Sequence, residues 1–188
     1  MEFIFDTYAH FHFLLHLLEP DESAIDKLRS MGISEDRIQL QLSTPGSRFF
    51  PDFANDLESL ATRLKDGKYE TLTEANGNIR IVATADLSSF PNGCGTNAVI
   101  PFDSLTIQQQ KNIFLKRNRG FLVQHLLVNE LPSTPHFMII LKPLKRGLKL
   151  ITAFPGEHAM PMPHHGMKPA LYKACKEFWE QHVILLNE

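Results

Sequence analysis

His136-Phe-Met-Ile-Ile-Leu-Lys142 and, after a short basic turn, Leu148-Lys-Leu-Ile-Thr-Ala-Phe154 decide how this chain is read. Each run is apolar and rich in residues that suit a pleated surface, which predicts two strands joined as a hairpin. Period 2 puts His136, Met138, Ile140 and Lys142 on one face, and Leu148, Leu150, Thr152 and Phe154 on one face of the return strand. A five-residue loop over 143–147 pairs Lys142 with Leu148. His136 then opposes Phe154, Met138 opposes Thr152, and His136 and Thr152 become diagonal neighbours within reach of a shared ligand. A slip of one residue sends them to opposite faces.

Outward from the hairpin, Phe121–Val128 predicts a third strand, with Pro132 and Pro135 marking the connection. Ile79–Ala85 is rich in β-branched residues, and Asn92-Gly-Cys-Gly95 reads as a turn. Ser104 is positioned to cap a helix running to about Lys116, ended by Gly120. Pro169 suits a first helical position, and Leu171, Ala174, Cys175, Phe178 and His182 then line one face of a closing helix. Upstream, Asp52 caps a helix whose buried face is Phe53, Leu57, Leu60, Ala61 and Leu64, with Gly67 as its stop. A shorter helix runs from Glu22 to Met31 and ends at Gly32. Tyr8–Leu18 is apolar nearly all round, so it is a buried helix or a strand followed by a helix. Pro45, Gly46 and Pro51 bracket a loop containing Arg48.

The expected fold is α+β: N-terminal helices, a small mostly antiparallel sheet of about four or five strands, and a C-terminal helix. At 188 residues the chain has the length of one domain with a sizeable core. It is too short for a full TIM barrel, which takes at least about 200 residues. Its longest apolar runs fall short of the about 20 residues a membrane span needs. Glu2 and Asp6 take the place of a basic leader region, so the expectation is a soluble, cytoplasmic protein with no membrane partner. Cys94 and Cys175 have no CxxC spacing, which speaks against a disulfide framework or a cysteine zinc site.

Net charge is −2, but its distribution is uneven. Residues 1–78, the mainly helical part, carry −7, and residues 79–188, the sheet-containing part with the closing helix, carry +5. Between Lys111 and Lys149 eight bases meet one acid, Glu130. A basic stretch of that kind suggests a polyanion site.

Nine histidines make imidazole chemistry the first to consider. A histidine, a hydroxyl and a basic surround are what RNA cleavage without a metal requires. The 2′-hydroxyl loses a proton, the leaving oxygen gains one, and imidazole can serve either step near neutrality. Lysine or arginine stabilises the phosphoryl oxygens, and a threonine hydroxyl donates to them. His136 and Thr152 are the central candidates, with His125, Arg117, Arg119, Lys142, Lys145, Arg146 and Lys149 as supporting groups. No metal or other cofactor is called for.

The segment Leu150-Ile-Thr-Ala-Phe-Pro-Gly156, preceded by a His-led strand and a basic turn, resembles the C-terminal part of the barnase/EndoU/colicin/RelE-like ribonuclease superfamily. The likeness covers about residues 117–160. It implies that His136 is general acid or base, Thr152 a phosphate-contacting hydroxyl, and Lys142 or Arg146 the transition-state cation. It also implies RNA as the substrate, a 2′,3′-cyclic phosphate product and an inhibitor protein as a further partner. A non-catalytic protein- or nucleic-acid-binding module of the same fold is the alternative.

Other constellations compete. Asp6-Thr-Tyr-Ala-His10-Phe-His12 is similar to the opening strand of metal-dependent amidohydrolases, where two histidines two apart aim at one metal. That gives a third reading, a metal-dependent hydrolase. His158, His164 and His165, with Met160, Met162 and Met167, form a loop whose donors suit soft or borderline metals, or which is a plain surface loop. Cys94 between two glycines presents a nucleophile or simply a tight turn. Walker A, GxGxxG, GxSxG and HExxH sequences are all missing.

Overall fold

The structure is a computed structural model describing residues 3–66, 69–74, 76–118, 120–158 and 160–188. It is α+β, as expected. In chain order it runs β1 (Phe3–Ile4), α1 (Thr7–Phe13), α2 (Glu22–Ser30), α3 (Glu35–Ser43), α4 (Leu57–Asp66), β2 (Tyr69–Thr73), β3 (Ile79–Thr84) and β4 (Gly95–Thr96). It continues β5 (Val99–Pro101), α5 (Ile107–Lys111), β6 (Phe114–Asn118), β7 (Phe121–Val128), β8 (Ser133–Thr134), β9 (His136–Leu144), β10 (Gly147–Pro155), α6 (Pro169–Glu180) and β11 (His182–Asn187). Two compact units result: Met1–Asn97 with Ser133–Glu157, and Ala98–Pro132 with His158–Glu188. No helix among the described residues is long and apolar enough to cross a membrane.

The first unit is built on a sheet ordered β1-β10-β9-β3-β2, antiparallel except for the β1–β10 pair. Ile81, Ala83, Phe137, Ile139, Leu141, Leu150 and Ala153 pack into one buried cluster with Phe13, Leu14, Leu17, Phe49, Phe53, Leu57 and Leu60 from the helical part. Helix α1 starts at Asp6, whose carboxylate accepts the Ala9 N–H at 2.9 Å. Arg48 braces the helical segment: its guanidinium donates to the carbonyls of Leu17, Thr44 and Leu42. Gly95 lies so close to the Arg48 carbonyl and Phe49 Cα that a Cβ there has no room. Helix α4 begins at Leu57 rather than after Asp52, because Asp56 and Ser59 make the capping bonds, with Ser59 N–H donating to the Asp56 carboxylate at 2.6 Å. The expected stop at Gly67 lies outside the described residues.

The three expected strands form over Phe121–Val128, His136–Leu144 and Gly147–Pro155. The hairpin register differs from the expectation. Gly147 pairs with Leu144 across a two-residue turn, Lys145-Arg146, so 143–147 is no five-residue loop. Pro143 stays in the strand because β3 ends its pairing at Leu141, and beyond that point its missing N–H costs no ladder bond. An irregularity between Leu150 and Thr152 shifts the register further, so that Thr152 opposes Ile140 and Phe154 opposes Met138.

The second unit has a sheet ordered β5-β11-β7-β6, with β11 parallel to β7 and antiparallel to β5. Leu105, Leu126, Val183 and Leu185 form its buried cluster. The helix expected from Ser104 to Lys116 is short: Thr106 and Gln109 form a capping box and it ends at Lys111. Phe114–Asn118 is instead strand β6, paired with β7. The closing helix starts at Pro169 as expected but stops at Glu180, and His182 opens a strand. Val183 and Ile184, both β-branched, favour that change. His182 still keeps a helix-like spacing, donating from Nδ1 to the Phe178 carbonyl at 2.7 Å.

Candidate functional site

His136 opens β9 directly opposite Thr84 on β3. Its main chain is fixed on both sides: the Gly156 N–H donates to its carbonyl at 2.7 Å, and its own N–H donates to Thr134 Oγ1 at 3.1 Å. The buried Cys94 thiol donates to the same His136 carbonyl and to that of Thr134, each at 3.2 Å. The ring is held as well. Nδ1 shares a 3.1 Å hydrogen bond with Thr84 Oγ1, and Nε2 lies 3.4 Å from Glu157 Oε1. His136 and Glu157 side chains remain 39% and 49% exposed, so both groups are open to a ligand.

Gly156 places Glu157. With φ at +105° it ends β10 in a conformation that side chains rarely adopt, and a Cβ there meets Asn97 Oδ1 at 2.7 Å. The turn returns the chain alongside His136.

His136 and Glu157 stand on the wall of an open cleft of about 1040 Å³ within the first unit. Phe53, Phe90 and Tyr69 give it aromatic surface. Arg63 lies over the Phe90 ring at 4.7 Å and donates from Nε to the Phe53 carbonyl at 3.0 Å. Asp86 accepts from Ser88 and Ser89, and these hydrogen bonds hold its carboxyl below the usual range. Among the described lining residues, the carboxylates are those of Glu70, Asp86 and Glu157 and the guanidinium is that of Arg63.

The other expected site residues lie elsewhere. Gly156, not Phe154, stands opposite His136, and Thr152 is four residues further along, about 13 Å of strand. The diagonal pairing of His136 with Thr152 is therefore replaced: Thr152 Oγ1 is 3.0 Å from His12 Nε2 instead. Lys142, Lys145 and Arg146 are exposed towards the far end of the hairpin, Lys142 about 20 Å of strand from His136 and the Lys145-Arg146 turn beyond about 26 Å. Lys149 pairs with Asp6 at 2.5 Å. His125, a central strand residue of the second unit, is buried, stacks on Phe114 and bonds through Nδ1 to the Val123 carbonyl at 2.9 Å. Burial, with help from Lys116, lowers its proton affinity. Arg117 is exposed on β6 and donates to the Gly120 carbonyl, and Arg119 lies outside the described residues.

The metal reading of His10 and His12 is corrected by local structure. They lie on helix α1, where two residues apart means nearly opposite faces, not a strand end aiming both at one ion. Among the described residues, no set of three or more His, Cys, Asp or Glu is arranged to hold a metal. Cys94 is a structural thiol, fully buried, with its pKa pushed up to about 12 by desolvation.

Glu157, Thr84 and Arg63 are the site residues that sequence reasoning missed. A signal for Glu157 was present: it follows Phe-Pro-Gly, at the end of the strand that returns beside His136. Thr84 and Arg63 depend on long-range pairing that no local pattern encodes.

No protein-family model matches the chain, and no curated protein or solved structure matches it either.

Proposed function

We propose that the cleft beside His136 is an acid–base site that works without a metal, and that its reaction is RNA cleavage by transphosphorylation to a 2′,3′-cyclic phosphate. One observation carries the reading: an exposed imidazole held between the Thr84 hydroxyl and the Glu157 carboxylate on an open, aromatic-walled cleft. Glu157 takes the 2′-hydroxyl proton, His136 donates one to the departing 5′ oxygen, and the two roles reverse if the cyclic ester is hydrolysed. Arg63 has spent two N–H groups on the Phe53 and Asp52 carbonyls. The guanidinium carries five, so donors remain for a phosphoryl oxygen. Tyr69, an exposed ring on the lining, suits stacking by an unpaired base.

The charge of the lining favours a second reading. Among the described lining residues Glu70, Asp86 and Glu157 stand against Arg63, a balance that suits a basic segment of a partner protein better than a polyanion. The cleft is then a binding site, with His136 as a polar contact.

Incubating the full chain with total RNA, with and without EDTA, separates the two. The nuclease reading expects cleavage that survives EDTA, cyclic phosphate ends, and a loss of about 10²–10⁴-fold in both His136→Ala and Glu157→Gln. Intact RNA, or cleavage unchanged in both variants, overturns it. Saturable binding of a lysine- and arginine-rich peptide, lost in Glu157→Gln, supports the second.

A further inference from the structure

In the second unit, His158 Nδ1 and His182 Nε2 stand 3.3 Å apart. Two imidazole nitrogens bound to one tetrahedral zinc, each about 2.0–2.1 Å from it, are separated by about 3.3 Å. The rings do not meet head-on. Their centroids are 4.6 Å apart with planes at 55°, closer than an in-line N–H···N contact leaves them, so the nitrogens meet obliquely. A point beside the line joining them lies about 2.0–2.1 Å from both nitrogens, the distance of a zinc–imidazole bond.

We propose that His158 and His182 are two ligands of a site for a divalent transition-metal ion of the zinc, nickel or copper class. The surroundings of His182 are those of a metal ligand. Its Nδ1–H donates to the Phe178 carbonyl at 2.7 Å, which leaves the Nε2 lone pair facing His158. The Phe178 ring stacks on it at 3.8 Å and 13°, fixing the imidazole plane. His158 is held from the loop side, because Trp179 Nε1 donates to the Pro161 carbonyl at 3.2 Å and pins that loop to α6. With two protein ligands, water fills the remaining positions and the ion stays exchangeable. When the metal binds His158 through Nδ1, the neutral ring carries its proton on Nε2, with solvent relaying it from one ring nitrogen to the other. The inference is independent of the reading of the His136 cleft.

The test is titration of the full chain with Zn(II) against a chromophoric chelator, alongside histidine side-chain ¹⁵N shifts. The expected result is one zinc per chain, with shifts at His182 Nε2 and His158 Nδ1. His158→Ala weakens uptake by at least about tenfold, since losing a ligand costs no less than losing its outer-shell partner. The double variant His164→Ala/His165→Ala leaves uptake unchanged. His158 is only half-buried, so its replacement tests the site without emptying the core. No uptake at millimolar zinc, uptake that follows His164 and His165, or uptake indifferent to His158→Ala overturns the proposal.

Discussion

Asp6 and Lys149 meet at 2.5 Å, joining the start of helix α1 to the sheet strand on which β1 lies. Asp6 has two tasks, because its carboxylate also accepts the Ala9 N–H. The hydrogen bond from Lys149 is the main cause holding this carboxyl below its usual range. The two tasks separate by substitution. Asp6→Ala loses cap and ion pair and costs about 1–2 kcal/mol. Asp6→Asn keeps a capping oxygen and loses only a partly exposed pair, at most about 1 kcal/mol. Urea denaturation of the two variants checks the order. Because the folded-state pKa is depressed, the pair's contribution is present above the usual carboxylate range and lost only as pH falls below it.

His16 supplies a pH dependence in a different window. Its Nδ1 bonds to the Ser47 carbonyl at 3.1 Å, and its ring packs on His12 and Phe154. Desolvation, followed by the neighbouring His12, lowers its pKa to about 3. Between the unfolded value near 6.5 and that lowered value, the unfolded chain binds the extra proton, so stability falls as pH falls. One group contributes at most about 1.4 kcal/mol per pH unit. Melting temperatures of the wild type and His16→Gln from pH 7.5 to 4 are expected to converge toward acid. His10, His12 and His125 are depressed too, so part of the slope survives in the variant.

Cys94 is expected to be inert in the folded chain. It is fully buried, donates to two carbonyls and has a thiol pKa near 12. Thiolate is the reacting form. Labelling with a disulfide reagent at pH 8 should therefore proceed at Cys94 only as fast as the chain unfolds, and become rapid in denaturant. Fast native labelling at Cys94 would show that the Gly93-Cys94-Gly95 turn is open.

Much of the fold was legible because its strongest signals are local. The alternation in Phe121–Val128, His136–Lys142 and Leu148–Phe154, and the proline at 169, each state a strand or a helix start without help from elsewhere. The hairpin register was not legible. It depends on Pro143 lying past the end of β3 and on one irregularity after Leu150, and both are facts about neighbouring strands. The same holds for the site: His136 is legible from its own strand, whereas Thr84 reaches it through sheet pairing and Arg63 through the packing of α4 on Phe53 and Phe90. His182 was misplaced for an instructive reason. Its spacing from Phe178 is helical, and its bond to the Phe178 carbonyl keeps that geometry even though the backbone has already turned into β11.

Gly156 is where the fold and the proposed chemistry depend on one residue. Gly156→Ala forces a side chain to φ near +105° and drives its Cβ against Asn97. The backbone strain alone costs about 1–3 kcal/mol. The contact with Asn97 is a separate cost, because an amide at the end of a side chain can be removed while φ cannot be relieved. Adding Gly156→Ala should therefore lower the melting temperature less in an Asn97→Ala background than in the wild type, but still lower it. The same substitution shifts Glu157 away from His136, since the 3.4 Å approach follows from the turn. If RNA cleavage is confirmed, its rate should fall in Gly156→Ala by more than the loss of folded protein explains, and the double variant should not restore it. Recovery of full activity by relief of the Asn97 contact would mean that Glu157 needs no turn at 156 to reach the imidazole.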